Sequence, residues 1–442
     1  MCLINYMDAS ATLTERSWKW EEKVAFRFFF LFFMLYIAPW TWPSSMPFTG
    51  DLLSFFNDLH WGAADWLIQL VKKHILHIDI KITPNGSGDT VDDWTWNGIM
   101  LFISSIGTAI WSLVDARRRE YNALYTWLQV IVRYQLAISM FTYGFIKIFP
   151  MQMPEPSISQ LATPLGEFTS MRFAWLFIGS SPSYEIFSGI CEVLGGLLML
   201  SRRTTAFGAM ILVGVIGHVV ALNFFFDIQV KLFSTALLLM AIFLQVPHMQ
   251  KLWAFFIQNQ HVRLSIPVIN LTKKWQRTTR IALKTLFIAV FCLISFYENM
   301  SAYGKGGYMP LDKPTITEGF FDVEAFEVNK KPLTLLSDTT RWDNVIFEKW
   351  NGGSIKRQPA DSPLMRYGRE YFTYKADTAK KTFEMQYRDS TRNFTLHYKE
   401  PDSSRMLLYG KGGNDSLHIL LRKKSQPFRL NEPMHWVHNS IK

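Results

Sequence analysis

Thr204–Phe226 reads TTAFGAMILVGVIGHVVALNFFF, a stretch with no Asp, Glu, Lys or Arg. At about 1.5 Å of rise per residue it covers roughly the 30 Å of a hydrocarbon layer, which places the chain in the membrane class. Moving outward, six further stretches have the same character: Phe28–Gly50, Trp94–Val114, Tyr121–Phe149, Ile186–Ser201, Leu232–Gln250 and Ile281–Tyr297. Seven spans are therefore expected. Between the first two, Asp51–Ile78 carries Leu52, Phe55, Phe56, Leu59, Trp66, Leu67 and Leu70 at helical spacing among charged residues. Such a pattern predicts an amphipathic helix lying at the interface rather than crossing it.

Composition agrees. Of 442 residues, 49% are hydrophobic, 15% aromatic and only 19% charged, too apolar for a soluble enzyme of this length. Residues 1–300 hold 23 basic and 19 acidic residues, while 301–442 hold 23 and 17 in under half the length. Two regions follow, 1–300 in lipid and 301–442 in water. The net charge of +10 would suit nucleic-acid binding in a soluble chain, but these basic residues cluster beside apolar runs, as membrane topology requires, so no nucleic-acid partner is expected. Cys2, Cys191 and Cys292 are too few and too scattered for a disulfide framework or a thiolate metal site.

Orientation follows from the short loops. Arg117, Arg118 and Arg119 follow the second span, Arg202 and Arg203 follow the fourth, and 249–280 has six basic residues and no acid. These loops belong on the cytoplasmic side, which puts the N-terminus inside and residues 301–442 outside. Lys23 and Arg27 before the first span would also suit a signal peptide, but Phe28–Trp42 is bulky and has no small-residue cleavage site, so it reads as a retained anchor.

From Phe321 the period changes to two: Tyr371–Tyr374, Thr382–Tyr387, Asn393–Tyr398 and Ser416–Leu421 read as half-buried strands. Turn-forming residues separate them at 388–391, 400–403 and 410–415. The expected fold class is an α-helical polytopic membrane protein with a C-terminal antiparallel β-sandwich or barrel of seven or eight strands. The outer domain is long enough to bury its own core, so residues 310–442 are expected to fold without the membrane region.

Charges inside spans are the most informative positions, since each costs about 2.5–3.5 kcal/mol at the bilayer centre on insertion scales and persists when paired, hydrated or used. Arg133, Ala137, Met140, Gly144 and Lys147 share one face of the third span. Lys147 lies within a turn of the outer boundary, from which it can snorkel. Glu192 is flanked by Gly189, Gly195 and Gly196, small residues that admit a neighbouring helix. His218 sits midway along the fifth span, and Asn223, Asp227 and Lys231 mark its outer end. Two readings of this set stand: a polar pocket at the outer face, with Arg133 and Glu192 coupled across the third and fourth spans, or buried pairs that fix helix register. Tyr134, Gln135 and Tyr143 add polar groups whose rings also serve as packing.

In the outer domain His397 and His418 fall on neighbouring expected strands and His435-Trp436-Val437-His438 lies near the end, but no carboxylate or Cys at ligand spacing completes a metal site, and none is expected. There is no Gly-x-Ser-x-Gly, phosphate loop, dinucleotide fingerprint or His-Glu-x-x-His, so hydrolase, kinase and soluble dehydrogenase readings have no support.

Arg133-Tyr134, then Tyr143-Gly144-Phe145-Ile146-Lys147, then Cys191-Glu192-Val193-Leu194-Gly195-Gly196-Leu197-Leu198-Met199-Leu200-Ser201-Arg202-Arg203-Thr204 resemble the DoxX family of bacterial inner-membrane proteins, with Gly208, the Asn223–Asp227 corner and Lys231 fitting its longer members. The resemblance covers about a quarter of the chain. It implies a four-helix core at about 121–250, a bacterial inner-membrane location with a periplasmic outer domain, and a role beside membrane redox complexes, some members being subunits of thiosulfate:quinone oxidoreductase. A quinone is the cofactor it suggests, with Arg133, Tyr134, Lys147, Glu192, His218, Asn223, Asp227 and Lys231 as the candidate intramembrane site. Besides the lipid bilayer, a redox or envelope protein is the partner it suggests. The membrane part of the vitamin K-dependent carboxylases is similar in architecture alone, helices preceding an outer β-rich domain. The second functional reading is a non-catalytic envelope protein whose helices anchor the β-domain for partner binding.

Overall fold

The structure, a computed structural model, describes residues 17–45, 54–78, 87–262, 271–303, 316, 318–334, 340–357, 367–387, 393–412, 415–425, 428 and 430. Cys2, the expected turn at 388–391, Gly413–Asn414 and the His435–His438 pair lie outside the described residues.

The helices are α1 (Trp20–Ile37), α2 (Ser54–Val71), α3 (Val91–Val114), α4 (Asn122–Ile148), α5 (Ile158–Leu161), α6 (Ser170–Gly179), α7 (Pro182–Met199), α8 (Thr205–Phe225), α9 (Lys231–Gln245), α10 (Met249–Phe256), α11 (Lys274–Phe287) and α12 (Ser295–Ala302). Five helical segments are long and apolar enough to cross a membrane: Trp20–Ser44, Val91–Val114, Thr205–Phe225, Lys231–Phe256 and Lys274–Ala302. The other two expected spans are helices too, α4 and α7, but neither is among those five.

Contacts divide the chain into two compact units, Met1–Phe145 with Gly189–Phe296, and Ile146–Ser188 with Tyr297–Lys442. The loop 150–185, expected on the outer side, thus belongs with the C-terminal region, together with the adjoining ends of the third and fourth expected spans.

In the first unit α1 lies on α3, where Leu31 fills the space beside Gly107. Phe33 packs edge-on to Phe243 of α9 at 5.2 Å, and α8 pairs with α9. The expected stripe on α4 is real, for Arg133, Ala137, Met140, Gly144 and Lys147 are all buried. This face meets α7 in antiparallel register. A Cβ at Gly144 would come within 2.6 Å of Val193, and one at Gly196 within 3.0 Å of Met140, so glycine sets the approach of the two backbones. α2 has the expected two faces: Ala64 and Ile68 are buried, while Phe55, Phe56, Leu59, Trp61 and Trp66 are exposed.

The second unit carries β1 (Gly319–Val328), β2 (Lys331–Pro332), β3 (Trp342–Phe347), β4 (Gly352–Arg357), β5 (Glu370–Asp377), β6 (Thr382–Tyr387), β7 (Asn393–Asp402), β8 (Arg405–Gly412) and β9 (Asp415–Lys423). β1 pairs antiparallel with β3, strands β3 to β9 pair antiparallel in succession and β9 returns to β1, with Phe326 opposite Ile419, closing an eight-stranded barrel to which β2 adds a short hairpin arm on β1. An eight-stranded barrel is just wide enough to be filled by side chains. Alternate residues do so here: Phe372 and Tyr374 on β5, Phe383 and Met385 on β6, and Leu417, Ile419 and Leu421 on β9, around Phe326, Trp342 and Phe347. The expected turns at 400–403 and 410–415 are both partly strand, β8 running to Gly412 and β9 starting at Asp415. β7 runs to Asp402, and a register irregularity between Lys399 and Asp402 accommodates Pro401, which has no N–H for the ladder.

Candidate functional site

The eight candidate residues do not meet in one place. Arg133, 9% exposed, donates from Nε and Nη2 to the carbonyl of Met199 at 3.0 and 2.7 Å. Met199 is the last residue of α7, where carbonyls lack intrahelical partners and the helix dipole is negative, so a guanidinium there is neutralised without a carboxylate. The expected Arg133–Glu192 pair is not formed. Glu192 lies beside the Gly144 contact, eleven residues along α4 from Arg133, or about 16 Å at 1.5 Å per residue. Tyr134 packs edge-on to Phe287 at 4.6 Å. Lys147 is buried at 6% exposure rather than snorkelling outward.

His218 is exposed on α8 and does not join a polar group among the described residues. The Asn223–Lys231 corner, in contrast, is assembled as expected. The Asn223 amide donates to Ser234 Oγ at 2.9 Å, and Lys231 Nζ reaches Asp227 at 2.7 Å. Asp89, which the sequence reading passed over, completes it by accepting from the N–H groups of Lys231 and Leu232 at 2.7 and 3.0 Å. A carboxylate at the positive end of α9 is the counterpart of Arg133 at the negative end of α7.

Further polar groups lie near that corner. Tyr143 of α4 packs against Phe233 of α9 at 5.6 Å and lies within electrostatic reach of Glu192 on α7. Tyr36 of α1 lies within the same reach of Tyr143, Asp93 and Asp89. The α3 start is fixed by a capping box in which Asp93 accepts from the Thr90 N–H and hydroxyl at 2.9 and 2.7 Å. Residues from five helices are thus linked in series: Glu192 to Tyr143, Tyr143 to Tyr36, Tyr36 to Asp93 and Asp89, and Asp89 to Lys231 at 3.9 Å. The signal that could have found Asp89 and Asp93 is the Gly-Asp-Thr-Val-Asp-Asp sequence ahead of a long apolar run, a helix start.

At the other end of the first unit, Arg27 is 2% exposed and donates to Tyr121 Oη at 3.0 and 2.8 Å, Ser112 Oγ at 2.8 Å and the Asp115 carbonyl at 3.1 Å, just past the last turn of α3. It repeats the helix-end solution of Arg133.

The second unit has its own buried network. Glu348 accepts from the N–H groups of Ile158 and Ser159 at 3.1 and 2.9 Å and from the Ser159 hydroxyl, capping α5. Ser354 Oγ donates to Ser159 Oγ at 2.7 Å and accepts from Arg369 Nε at 2.7 Å, while Arg369 Nη2 reaches Asn344 Oδ1 at 2.7 Å. Burial pulls the Arg369 guanidinium down to about 10, against the opposing influence of Tyr371, Glu348 and Asp343. Glu348, Ser159, Ser354 and Arg369 are buried, with Ile158 and Asn344 half-buried, so this is a clamp rather than a reaction site.

His397 stacks on Tyr409 at 5.2 Å and His418 lies 3.9 Å from Glu327. They are on β7 and β9, with β8 between them, rather than on adjacent strands as expected. Among the described residues no three His, Cys, Asp or Glu side chains are grouped to hold a metal ion.

Fold and sites together define a protein of several apolar helices with a closed, filled eight-stranded barrel. Over 123 residues the chain is 37% identical to the uncharacterised protein YwoB of Bacillus subtilis (strain 168), a match covering 28% of this chain and 78% of that protein. The chain belongs to the same family as YwoB. No protein-family model matches it, and no solved structure does.

Proposed function

We propose that the chain is a DoxX-like integral protein of the bacterial inner membrane, with a cytoplasmic N-terminus and a periplasmic barrel, whose outer-end polar groups bind the head of a quinone as part of a membrane redox system. The observation that carries this reading is the series of linked groups Glu192, Tyr143, Tyr36, Asp93, Asp89 and Lys231 from five helices, with the Tyr143–Phe233 ring pair among them. Aromatic faces beside hydrogen-bonding groups of both signs fit a ring that carries two oxygens on an apolar tail. A bound quinone would supply reversible two-electron, two-proton chemistry. Tyr36 and Tyr143 orient the head by hydrogen bonds, Glu192 holds a proton at its carboxyl, and Lys231 with Asp89 balances charge at the outer mouth. The electron donor or acceptor is a partner protein, since the described cysteines Cys191 and Cys292 are both free thiols on separate helices.

The test is quantitation of quinones co-purified with the full chain in mild detergent, for wild type and for Tyr143→Phe with Glu192→Gln. Quinone retention that falls about tenfold in the variant is expected; equal retention, or none with wild type, would sink the reading. For topology, an impermeant thiol reagent on spheroplasts should label a cysteine placed at Asn414 and spare one at Asn259.

The Glu348–Ser159 clamp favours a second reading, a non-catalytic envelope protein, because it joins 146–188 to the barrel as one rigid outer unit suited to holding a partner. Cross-linking in cells that captures a partner on the barrel while quinone retention is nil would select it.

A further inference from the structure

We propose that a groove on the outer wall of the barrel binds an acidic sugar, a hexose ring carrying one carboxylate or phosphate. The groove encloses about 380 Å³, at the small end of the range for small-ligand sites. Its walls are Glu327, Lys330, Tyr409, Lys411, Ser416 and His418, over the backbone of Gly410 and Leu417.

Strand register brings these residues to one place. Glu327 of β1 is opposite His418 of β9, which is opposite Tyr409 of β8, so the three form one row across the wall. Ser416 is opposite Lys411 in a second row, two residues further along both strands. Leu408, Leu417 and Ile419 fill the barrel interior, so their neighbours Tyr409, Ser416 and His418 point outward. Tyr409 is 40% exposed, and the side chains of Glu327 and His418 are 42% and 54% exposed, which leaves them open to a ligand.

Lys330 enters the second row from the β1–β2 turn. Asn329 and Lys330 have φ of +52° and +65°, the two left-handed residues that a two-residue hairpin favours. Asn329 pins this turn to β9. Its N–H donates to the Ser416 carbonyl at 2.8 Å, its Oδ1 accepts from the Ser416 N–H at 2.9 Å, and its amide donates to Asp415 at 2.8 Å. Lys330 and Lys411 thus stand on either side of Ser416, two strand spacings or about 10 Å apart at their backbones. Their flexible stems are long enough to close on one group between them.

The two rows ask for different chemistry. The Lys330–Ser416–Lys411 row, two ammoniums and a hydroxyl, is a seat for one anionic group. The Glu327–His418–Tyr409 row suits a polyol. Glu327 accepts from hydroxyls, and His418, 3.9 Å from it, supplies a ring nitrogen beside it. His397 stacks on Tyr409 at 5.2 Å from the β7 side, so the opposite face of the Tyr409 ring fronts the groove and can carry the C–H face of a sugar ring. A bare anion would use the lysines but confront Glu327. A neutral sugar would leave the lysines without a partner. An extended peptide has no strand edge to join, because β1, β8 and β9 are each paired on both sides.

The experiment titrates the full chain in detergent with glucuronate, glucose-6-phosphate, glucose, inorganic phosphate and uridine monophosphate, followed by ligand-observed NMR. One of the two acidic sugars should bind about tenfold more tightly than glucose or inorganic phosphate, and the tighter one identifies the acid group. Lys411→Gln should bring that sugar to the level of glucose, Tyr409→Ala should weaken it about tenfold, and Tyr409→Phe, which keeps the ring, should bind as wild type does. Melting temperature measured in parallel identifies a variant that has unfolded, and the other then decides. Tighter binding of tetragalacturonate than of a single ring would make a polysaccharide the source, and equal binding a free sugar. No preference for an acidic sugar over glucose and inorganic phosphate, tighter binding of uridine monophosphate than of either acidic sugar, or unchanged affinity in the folded Lys411→Gln and Tyr409→Ala variants overturns the proposal.

Discussion

Arg133 and Arg369 pose the same problem in two solvents. Both are buried guanidiniums, at 9% and 2% exposure, and the two units solve them differently. In the helical unit Arg133 is satisfied by the terminal carbonyl of α7, and Arg27 in large part by that of α3 and a tyrosine hydroxyl. Helices offer unspent carbonyls at their ends, so charge can be neutralised by dipoles. The barrel spends most of its carbonyls on the ladder, although Arg341 reaches those of Leu333 and Val323 at 3.1 and 3.4 Å. Arg369 finds one carbonyl, that of Ser354 at 3.3 Å, and otherwise depends on side chains and on the carboxylate of Glu348 in the same network. The lesson is that a buried cation in the helical unit need not imply a buried anion beside it, whereas in the barrel it does.

The largest expected effect breaks the barrel side of this comparison. Glu348→Ala removes both the cap of α5 and one of the negative groups near Arg369, and should cost about 3–5 kcal/mol of barrel stability in denaturant titrations of the full chain. Adding Arg369→Met should recover part of it. A loss below about 1 kcal/mol would show that Arg369 is held by neutral groups after all. For the same reason residues 310–442 expressed alone should give a β-sheet circular dichroism spectrum, yet melt below the barrel in the full chain, since Ser159 is missing. A helical or disordered spectrum would refute the self-contained core.

On the helical side, Arg133→Met should cost about 1–3 kcal/mol, the penalty for stranding a buried carbonyl. Its coupling to Glu192→Gln in a double-mutant cycle of thermal stability in detergent should stay below about 0.5 kcal/mol. Strong coupling would restore the pair that the sequence suggested. Tyr121→Phe removes an acceptor from Arg27 and a donor to Asp115, and should cost about 1 kcal/mol.

The smallest effect sharpens the description of the barrel turns. Asp377 accepts from the N–H groups of Ala379 and Lys380, and Asp402 from the hydroxyl and N–H of Ser404, which lowers both carboxyls below the ordinary aspartate value. A depressed carboxyl stabilises the fold above its unfolded pKa and loses that contribution as pH falls through the folded one. Wild type should thus lose turn protection in hydrogen exchange only below the ordinary range near 3.8, while Asp377→Asn should show a weaker pH response. An identical acid profile for the two proteins would show that the turn is held by its backbone alone.

Much of this was legible from the sequence. The uncharged run Thr204–Phe226, the buried stripe from Arg133 to Lys147 and the Asn223–Lys231 corner were all present in periodicity and spacing. His218 was misread because an isolated imidazole in an apolar run says nothing of the direction its helix face takes. Asp89 was missed because its partners, the N–H groups of Lys231 and Leu232, lie 142 and 143 residues away.

By itself the sequence determined the long apolar helices and the strands at Tyr371–Tyr374, Thr382–Tyr387, Asn393–Tyr398 and Ser416–Leu421, because hydrophobic period and turn residues act over a few neighbours. Only the tertiary structure decided which groups meet: Arg133 with a helix end instead of Glu192, β9 with β1 to close the barrel, and Ser159 with Glu348 across 189 residues. Those choices depend on how close two backbones can come and which polar groups remain unsatisfied when they do, and neither is a property of any local window of sequence.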